Sequence, residues 1–223
     1  MEKMGTSAEA FMDWIDFTGP APDRMQNGYD LMHTNHKLSR LITSWSYFSI
    51  YESLLDSKIW KDQEANRFID IGCGNGFLTH AISKKLNGAN GVGIDINESA
   101  IEMAKSLGIK HHSGNLLFFT MDLSQQMNPG NKLAIGKFDL AISCMLMGEI
   151  LNIPEGLKNT ALNLADLIEP EGLFISIERF PETEIQREAL ISAFSAAGFV
   201  LKARDLLNVD DKIFPLTLMT KKG

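Results

Sequence analysis

Three glycines at alternate positions, Gly72, Gly74 and Gly76, follow a short apolar segment that contains Asp70. The continuous apolar run of residues 68–71 is typical of a parallel strand that is covered on both faces. Glycine adopts positive φ easily and lets a ligand approach the backbone closely. The residues that follow have helical spacing, so the glycines connect a strand to a helix N-terminus. Such a turn indicates a site for a nucleotide-like ligand.

Two more acidic residues, Asp95 and Asp122, come at the ends of the next two predicted strands. Asp95 lies 25 positions after Asp70, at the end of an apolar segment. A carboxylate at the tip of this second strand can accept hydrogen bonds from both hydroxyls of a ribose. Asp122 ends the predicted third strand, residues 116–123. Each aspartate also has a structural interpretation, since an exposed aspartate often begins a turn.

The pattern D-x-G-x-G-x-G of residues 70–76 resembles motif I of the class I S-adenosylmethionine (SAM) dependent methyltransferases. Dinucleotide-binding folds prefer G-x-G-x-x-G, which would require a glycine at Phe77. The segments F-D-L of residues 138–140 and E-P-E-G-L-F-I-S-I of residues 169–177 are similar to the fourth and fifth strands of the same family. The resemblance covers residues 68–222. It implies SAM as the cofactor and S-adenosylhomocysteine as the product.

The resemblance also implies a role for individual residues in binding SAM. The glycine turn would hold the methionine part, with Asp70 near its amino group. Asp95 would bind the ribose, and Asp122 with the Leu123 amide would bind the adenine. The expected cofactor-binding residues are Asp70, Gly72, Cys73, Gly74, Asp95, Ile96, Asp122, Leu123 and Cys144.

The order of the predicted elements indicates an α/β fold. We expect a Rossmann-like, doubly wound sheet of seven strands, mostly parallel with an antiparallel C-terminal strand, and an N-terminal helical cap. The last two strand candidates, residues 199–207 and 213–220, would form the antiparallel pair that closes the sheet in the methyltransferase family. The expected division is a cap or lid over residues 1–60 and a SAM-binding domain over residues 61–223.

Three local signals predict element boundaries. Asn97 or Ser99 would cap the helix after the second strand, with Ser99 and Glu102 in capping-box spacing. A helix would begin in residues 152–155, with Pro154 near its first position. Pro215 would lie at the start of a strand, since proline cannot donate to a strand ladder.

The composition of the chain limits the kinds of partner that we expect it to bind. The 223 residues carry a net charge of −7 and the sequence pI is about 5.2, which argues against nucleic acid or an anionic membrane as the main partner. We find no apolar stretch long enough to span a bilayer and no signal peptide, and only two cysteines occur, so we expect a cytoplasmic protein. No metal site is expected, and the oligomeric state stays open.

The predicted reaction is methyl transfer to a small-molecule acceptor, in which the protein mainly positions the reactants and excludes water. A general base is needed only for a hydroxyl or a protonated amine. The candidates for that base are Glu149, Glu178, His33 and His36, and the candidates for acceptor contacts are Tyr47, Tyr51 and Met147. Each of these residues also has a purely structural interpretation.

Other functions remain open at this point. A nicotinamide-dependent oxidoreductase is disfavoured by the missing third glycine and by the antiparallel ending. A non-catalytic regulatory subunit with the same fold is disfavoured by the full set of cofactor motifs. A macromolecular acceptor is disfavoured by the acidic balance. The residues 143–146 after the fourth strand lack the N/D-P-P-Y signature, which argues against adenine or a glutamine amide as the acceptor.

Overall fold

A computed structural model describes residues 50–51, 53–60, 64–110, 114–178, 183–209 and 212–223. Most of the predicted N-terminal cap, including His33, His36 and Tyr47, lies outside the described residues. Within the described part of the chain, no helix combines the length and the apolar character that crossing a membrane requires.

The described elements alternate between strands and helices over most of the chain. The strands are β1 (Arg67–Ile71), β2 (Asn90–Asp95), β3 (Leu116–Thr120), β4 (Phe138–Cys144), β5 (Ile168–Ile177), β6 (Phe199–Val209) and β7 (Lys212–Lys221). The helices are α1 (Phe77–Lys85), α2 (Glu98–Lys110), α3 (Pro129–Ile135), α4 (Met147–Ile150), α5 (Gly156–Leu167) and α6 (Thr183–Ala196), and a 3₁₀ turn spans Lys58–Trp60.

The strands form one seven-stranded sheet in the order β3-β2-β1-β4-β5-β7-β6. Neighbouring strands from β3 to β5 are parallel, and β7 is antiparallel to both β5 and β6. The predicted Rossmann-like sheet of seven strands, mostly parallel with an antiparallel C-terminal strand, is confirmed. The chain runs outward from β1 to β3 and then returns to add β4 on the other side of β1. This reversal creates a crevice at the carboxyl ends of β1 and β4, where open α/β sheets bind ligands.

Alternation along β1 divides the core into two layers. Ile69 and Ile71 face one cluster, which includes buried residues of α5 and α6. Phe68 faces the other cluster, which includes Leu54 and Trp60 from the N-terminal segment. Asp70 has the same parity as Phe68, so its side chain points into this second layer.

The glycine turn lets α1 pack closely on the sheet. Gly76 precedes α1 with φ of 80°, a left-handed conformation that favours glycine. A Cβ atom built there would lie 2.9 Å from the Ala104 Cβ and 2.9 Å from the Phe118 Cε1. Both backbone conformation and packing therefore require glycine at this position.

Two predicted helix starts differ from the structure. Helix α2 begins at Glu98, and the Asn97 Oδ1 accepts a hydrogen bond from the Ala100 amide at 3.0 Å. The expected Asn97 cap is therefore confirmed, whereas the Ser99–Glu102 capping box is wrong. Helix α5 begins at Gly156, not within residues 152–155, because Glu155 takes φ of 58° and interrupts the helical conformation.

Two strand predictions are also wrong in detail. Strand β3 ends at Thr120, two residues before Asp122. Asp122 Oδ1 accepts hydrogen bonds from both the amide and the hydroxyl of Ser124, and this local turn takes the chain out of the strand. Pro215 lies inside β7, not at its start. Its carbonyl accepts from the Glu178 amide just beyond the end of β5, so the position that lacks an N–H lies past the last pair of β5 and β7, Ile177 with Leu216.

Candidate cofactor site

The ends of β1 and β2, the loop after β3 and the turn after β4 surround one cavity at the crevice. The glycine turn and β1 contribute Ile71 and Gly72, and the end of β2 contributes Ile94, Asp95 and Ile96. The loop after β3 contributes Met121, Asp122, Leu123 and Ser124, and the segment after β4 contributes Leu146, Glu149, Ile150 and Ile153. The structure thus brings together five of the nine predicted cofactor residues in one wall: Gly72, Asp95, Ile96, Asp122 and Leu123.

The glycine turn is fixed to the neighbouring strand. The amides of Gly72 and Cys73 both donate to the Ile94 carbonyl, at 2.8 and 3.0 Å. Gly74 has φ of 52°, and a Cβ atom built there would meet no atom within 4 Å. The backbone at Gly74 is therefore open to a ligand, which is what a glycine turn that holds a cofactor requires.

Asp95 connects two turns with its carboxylate. Its Oδ2 accepts from the Gly74 amide and its Oδ1 accepts from the Asn97 amide, each at 2.9 Å. The residue is buried, with 6% of its surface exposed, and still contributes to the cavity wall. Each carboxylate oxygen can accept a second hydrogen bond, so two positions remain for the hydroxyls of a bound ribose.

Asp70 lies beneath the turn and not in the cavity wall. It is buried, and the Thr79 hydroxyl of α1 donates to its Oδ2 at 2.6 Å. Burial raises the pKa of Asp70 to about 7, the Thr79 hydrogen bond lowers it, and the charge of Asp95 raises it further. Asp70 therefore links β1 to α1, and its expected contact with the amino group of the cofactor stays a prediction.

The chemistry of the cavity fits a cationic ligand. Its described wall carries the carboxylates of Asp95, Asp122 and Glu149 and no lysine, arginine or histidine. Beside it, the glycine turn holds Asn75, which is 2% exposed and whose Nδ2 has no hydrogen-bond partner among the described residues. A buried donor without an acceptor is costly, so a ligand acceptor at the turn would satisfy it.

The two carboxylic acids predicted as general bases occupy different environments. Glu149 lines the cavity and is exposed; partial burial raises its pKa, and the charge of Asp95 adds to the rise. Glu178 is 1% exposed, and it accepts from the hydroxyls of Ser143 at 3.2 Å and Ser176 at 3.1 Å. Burial raises the pKa of Glu178 to about 7, against the lowering effect of these bonds and of two backbone amides. Of these two carboxylic acids, Glu149 lines the cavity and Glu178 does not.

Several other predicted residues lie away from the cavity wall. Cys73 is buried below the turn, and Cys144 ends β4; burial is the main cause that raises the pKa of both thiols well above the ordinary value. Met147 is fully buried in the apolar cluster beneath α5 and α6. Tyr51 packs against the opposite cluster. The structure does not bring these four side chains into the described wall.

Sequence reasoning missed three groups of residues around the site. Thr79 holds Asp70, but nothing in a nine-residue separation signals that contact. Leu146 and Ile150 line the cavity just before and at the end of α4, a helix of four residues that is too short for a visible apolar period. A third group on α5 donates hydrogen bonds to the loop after β3: Asn159, Thr160 and Asn163.

The methyltransferase-domain family matches residues 62–195, which is more than half of the chain. The chain belongs to this methyltransferase family. The match spans β1 to β5 and almost all of α6, and so includes every element around the cavity.

Two curated relatives match part of this methyltransferase. The ribosomal protein L11 methyltransferase of Thermotoga neapolitana is 30% identical over 84 residues, which is 38% of this chain and 28% of that protein. The ubiquinone biosynthesis O-methyltransferase of Coxiella burnetii is 32% identical over 115 residues, which is 48% of this chain and 42% of that protein. The matched regions span less than half the length of either relative.

A solved structure shows the same fold. The SAM-dependent methyltransferase of Clostridium acetobutylicum superposes with a TM-score of 0.64 at 12% identity, over 84% of this chain and 98% of that chain. SAM is the cofactor of this chain, as its methyltransferase family indicates.

Proposed function

We propose that this methyltransferase transfers the methyl group of SAM to a small-molecule acceptor at the crevice between β1 and β4. One observation carries the proposal: the cavity wall combines the glycine turn with three carboxylates and, among described residues, no basic side chain. An RNA acceptor would bring phosphates into this acidic environment, which the net charge of −7 also opposes.

Cofactor binding is assigned to the residues that converge on this wall. Asp95 would bind the ribose, because its buried carboxylate is already oriented by the Gly74 and Asn97 amides. Asp122 and the Leu123 amide would bind the adenine. The open backbone at Gly74 and the unpaired amide of Asn75 would bind the methionine part.

Catalysis would depend mainly on position. Bound SAM supplies a methyl group on a positively charged sulfur, which needs no further activation by the protein. The apolar side chains of Leu146, Ile150 and Ile153 border the cavity and would exclude water from the transfer. Glu149 would accept the proton of a hydroxyl or ammonium acceptor, because it borders the cavity and partial burial raises the pKa of its carboxyl, which makes the carboxylate a stronger base.

The N-terminal segment is proposed to complete the acceptor site. Residues 1–60 would form a cap over a SAM-binding domain of residues 61–223. In support, Leu54 and Trp60 are buried in the same cluster as Phe68 of β1, so the end of the segment packs on the domain. A cytoplasmic location is supported by the two free cysteines, Cys73 and Cys144.

A protein acceptor is the second candidate. The Thermotoga relative is named for a ribosomal protein, and this chain is 30% identical to it over the matched region. The Coxiella relative is named for ubiquinone biosynthesis, which favours a small molecule at similar identity.

The test uses the full chain with SAM labelled on its methyl group. The purified protein is first titrated with SAM and NADH by calorimetry, and we expect binding of SAM alone. It is then incubated with a panel of phenols, catechols and amines, and separately with ribosomal proteins. Label transfer to a phenol or amine supports the proposal. Transfer to a protein and to none of the small molecules would overturn it.

A further inference from the structure

The loop between β3 and α3 is bound by a buried asparagine of helix α5. The Asn163 Nδ2 donates to the carbonyl oxygens of Leu123, at 2.9 Å, and of Gln125, at 2.7 Å. Its Oδ1 accepts from the Met127 amide at 3.3 Å. Asn163 is 2% exposed, so its whole side-chain amide is used on this loop. One side chain thus connects three backbone groups over five residues.

Two neighbours on the same face of α5 bind the same loop. The Thr160 hydroxyl donates to the Leu123 carbonyl at 3.2 Å, and the Asn159 Nδ2 donates to the Ser124 carbonyl at 2.9 Å. Positions 159, 160 and 163 lie at i, i+1 and i+4, which places them along one side of a helix. The face of α5 towards the loop is therefore polar, although the rest of its buried surface is apolar.

The loop needs these partners because part of it is buried without regular structure. Residues 121–128 belong to no helix or strand, and Leu123, Ser124 and Met127 are each at most 7% exposed. Buried backbone groups without a partner cost free energy. The α5 side chains supply the hydrogen bonds that a strand ladder would otherwise give.

The same loop forms one wall of the cavity, through Met121, Asp122, Leu123 and Ser124. We propose that Asn163, which does not itself line the cavity, is a positioning residue for the cofactor site: it fixes the loop that carries Asp122 and Leu123. The inference rests on the proposed binding of the adenosine part of SAM by these two residues. Without Asn163 the loop would keep only the hydrogen bonds that Thr160 and Asn159 donate from α5, so the ligand would have to order the part around Met127, and this ordering would reduce the measured affinity.

A second asparagine offers a matched control at the opposite edge of the sheet. The Asn115 Nδ2 donates to the carbonyls of Ala89, at 2.7 Å, and Gly88, at 3.0 Å, at the amino ends of β2 and β3. Asn115→Ala therefore removes the same kind of side-chain bond to the backbone, at a distance from the cavity. It reports what a general loss of stability does to ligand binding.

The experiment measures binding by calorimetry for the wild type, Asn163→Ala and Asn115→Ala, with S-adenosylhomocysteine and with adenosine. Asn163→Ala is expected to weaken the binding of both ligands by the same factor, on the order of tenfold in Kd. Asn115→Ala is expected to bind both like the wild type. Amide hydrogen exchange should show faster exchange at Met127 in Asn163→Ala alone.

Each contrary result has a separate meaning. Wild-type affinity in Asn163→Ala, with faster exchange at Met127, would overturn the positioning role and leave the proposed function intact. If Asn115→Ala weakened ligand binding as much as Asn163→Ala, a general loss of stability would explain the effect. This result would also overturn the positioning role. No binding of S-adenosylhomocysteine by the wild type would overturn the proposed function itself, and the inference with it.

Discussion

The carboxylate of Asp95 lies 2.9 Å from the amide nitrogen of Gly74 and so joins the end of β2 to the glycine turn at the end of β1. Its second oxygen accepts from the Asn97 amide at the start of α2. One side chain therefore sets the relative position of the two strand ends that would hold the ribose and the methionine part of SAM. The proposed ligand contacts of Asp95 depend on an orientation that the protein itself provides.

Replacing Asp95 should impair cofactor binding more than folding. Asp95→Ala removes the proposed ribose contacts and frees the Gly74 amide, so we expect SAM binding to weaken by about 1–3 kcal/mol in calorimetry. Asp139→Ala is the matched control, because Asp139 Oδ2 also accepts from two backbone amides, those of Asn66 and Arg67, at the amino end of β1. Equal affinities in the two variants would contradict the role assigned to Asp95.

Two glycines with similar backbone conformations should respond differently to alanine. Gly76 and Gly88 have φ of 80° and 86°, so either substitution strains the backbone by about 1–2 kcal/mol. Only Gly76 also faces close neighbours, Ala104 and Phe118, whereas a Cβ at Gly88 meets no atom within 4 Å. Urea unfolding should therefore show that Gly76→Ala costs about 1–3 kcal/mol more than Gly88→Ala. Similar costs would mean that α1 can move away from β3.

Local signals predicted the elements whose pattern is determined within a few residues. The segment F-D-L of residues 138–140 was expected to belong to the fourth strand, and it begins β4, Phe138–Cys144. The start of α5 was not predicted correctly, because Glu155 takes a left-handed conformation and a glutamate does not signal it as a glycine would. The position of Pro215 inside β7 depends on where β5 ends, which is a property of the assembled sheet.

The acidic residues of the candidate site could be predicted from the sequence, but the residues that orient them could not. Asp95 and Asp122 follow strands in sequence, so the parallel sheet necessarily brings them to one edge. The partners that orient the site come from distant elements: Thr79 for Asp70, and Asn163 for the loop after β3. Such contacts depend on how helices pack, and a single sequence does not show them.

Stability should fall as pH rises towards neutral. Burial is the main cause that raises the pKa of both Asp70 and Glu178 to about 7, from 3.8 and 4.5. The folded protein therefore binds these protons more tightly than the unfolded chain, and the free energy of unfolding decreases between roughly pH 4 and pH 7. Each group contributes at most about 1.4 kcal/mol per pH unit.

Removing one of these carboxyls should make stability less dependent on pH. In Glu178→Gln the amide can bond to Ser143, Ser176 and Gly148 without a titrating proton, so the fold should be retained. Urea unfolding from pH 4 to pH 8 should give a shallower slope for this variant than for the wild type. An unchanged slope would show that Glu178 does not bind its proton more tightly in the folded state.

Glu149 should matter for turnover and not for cofactor affinity. If it accepts a proton from the acceptor, the wild-type rate rises with pH through the raised pKa of this carboxyl, because only the deprotonated form is a base. Glu149→Gln should lose that rise and reduce kcat on the order of 100-fold for a hydroxyl acceptor. Glu155→Gln serves as the control, since this exposed glutamate pairs with Lys158 on the nearby surface and does not line the cavity. If Glu149→Gln kept the wild-type kcat and pH profile, Glu149 would not be the base. The protein would then only position the reactants, and the proton would leave to water or within the acceptor itself.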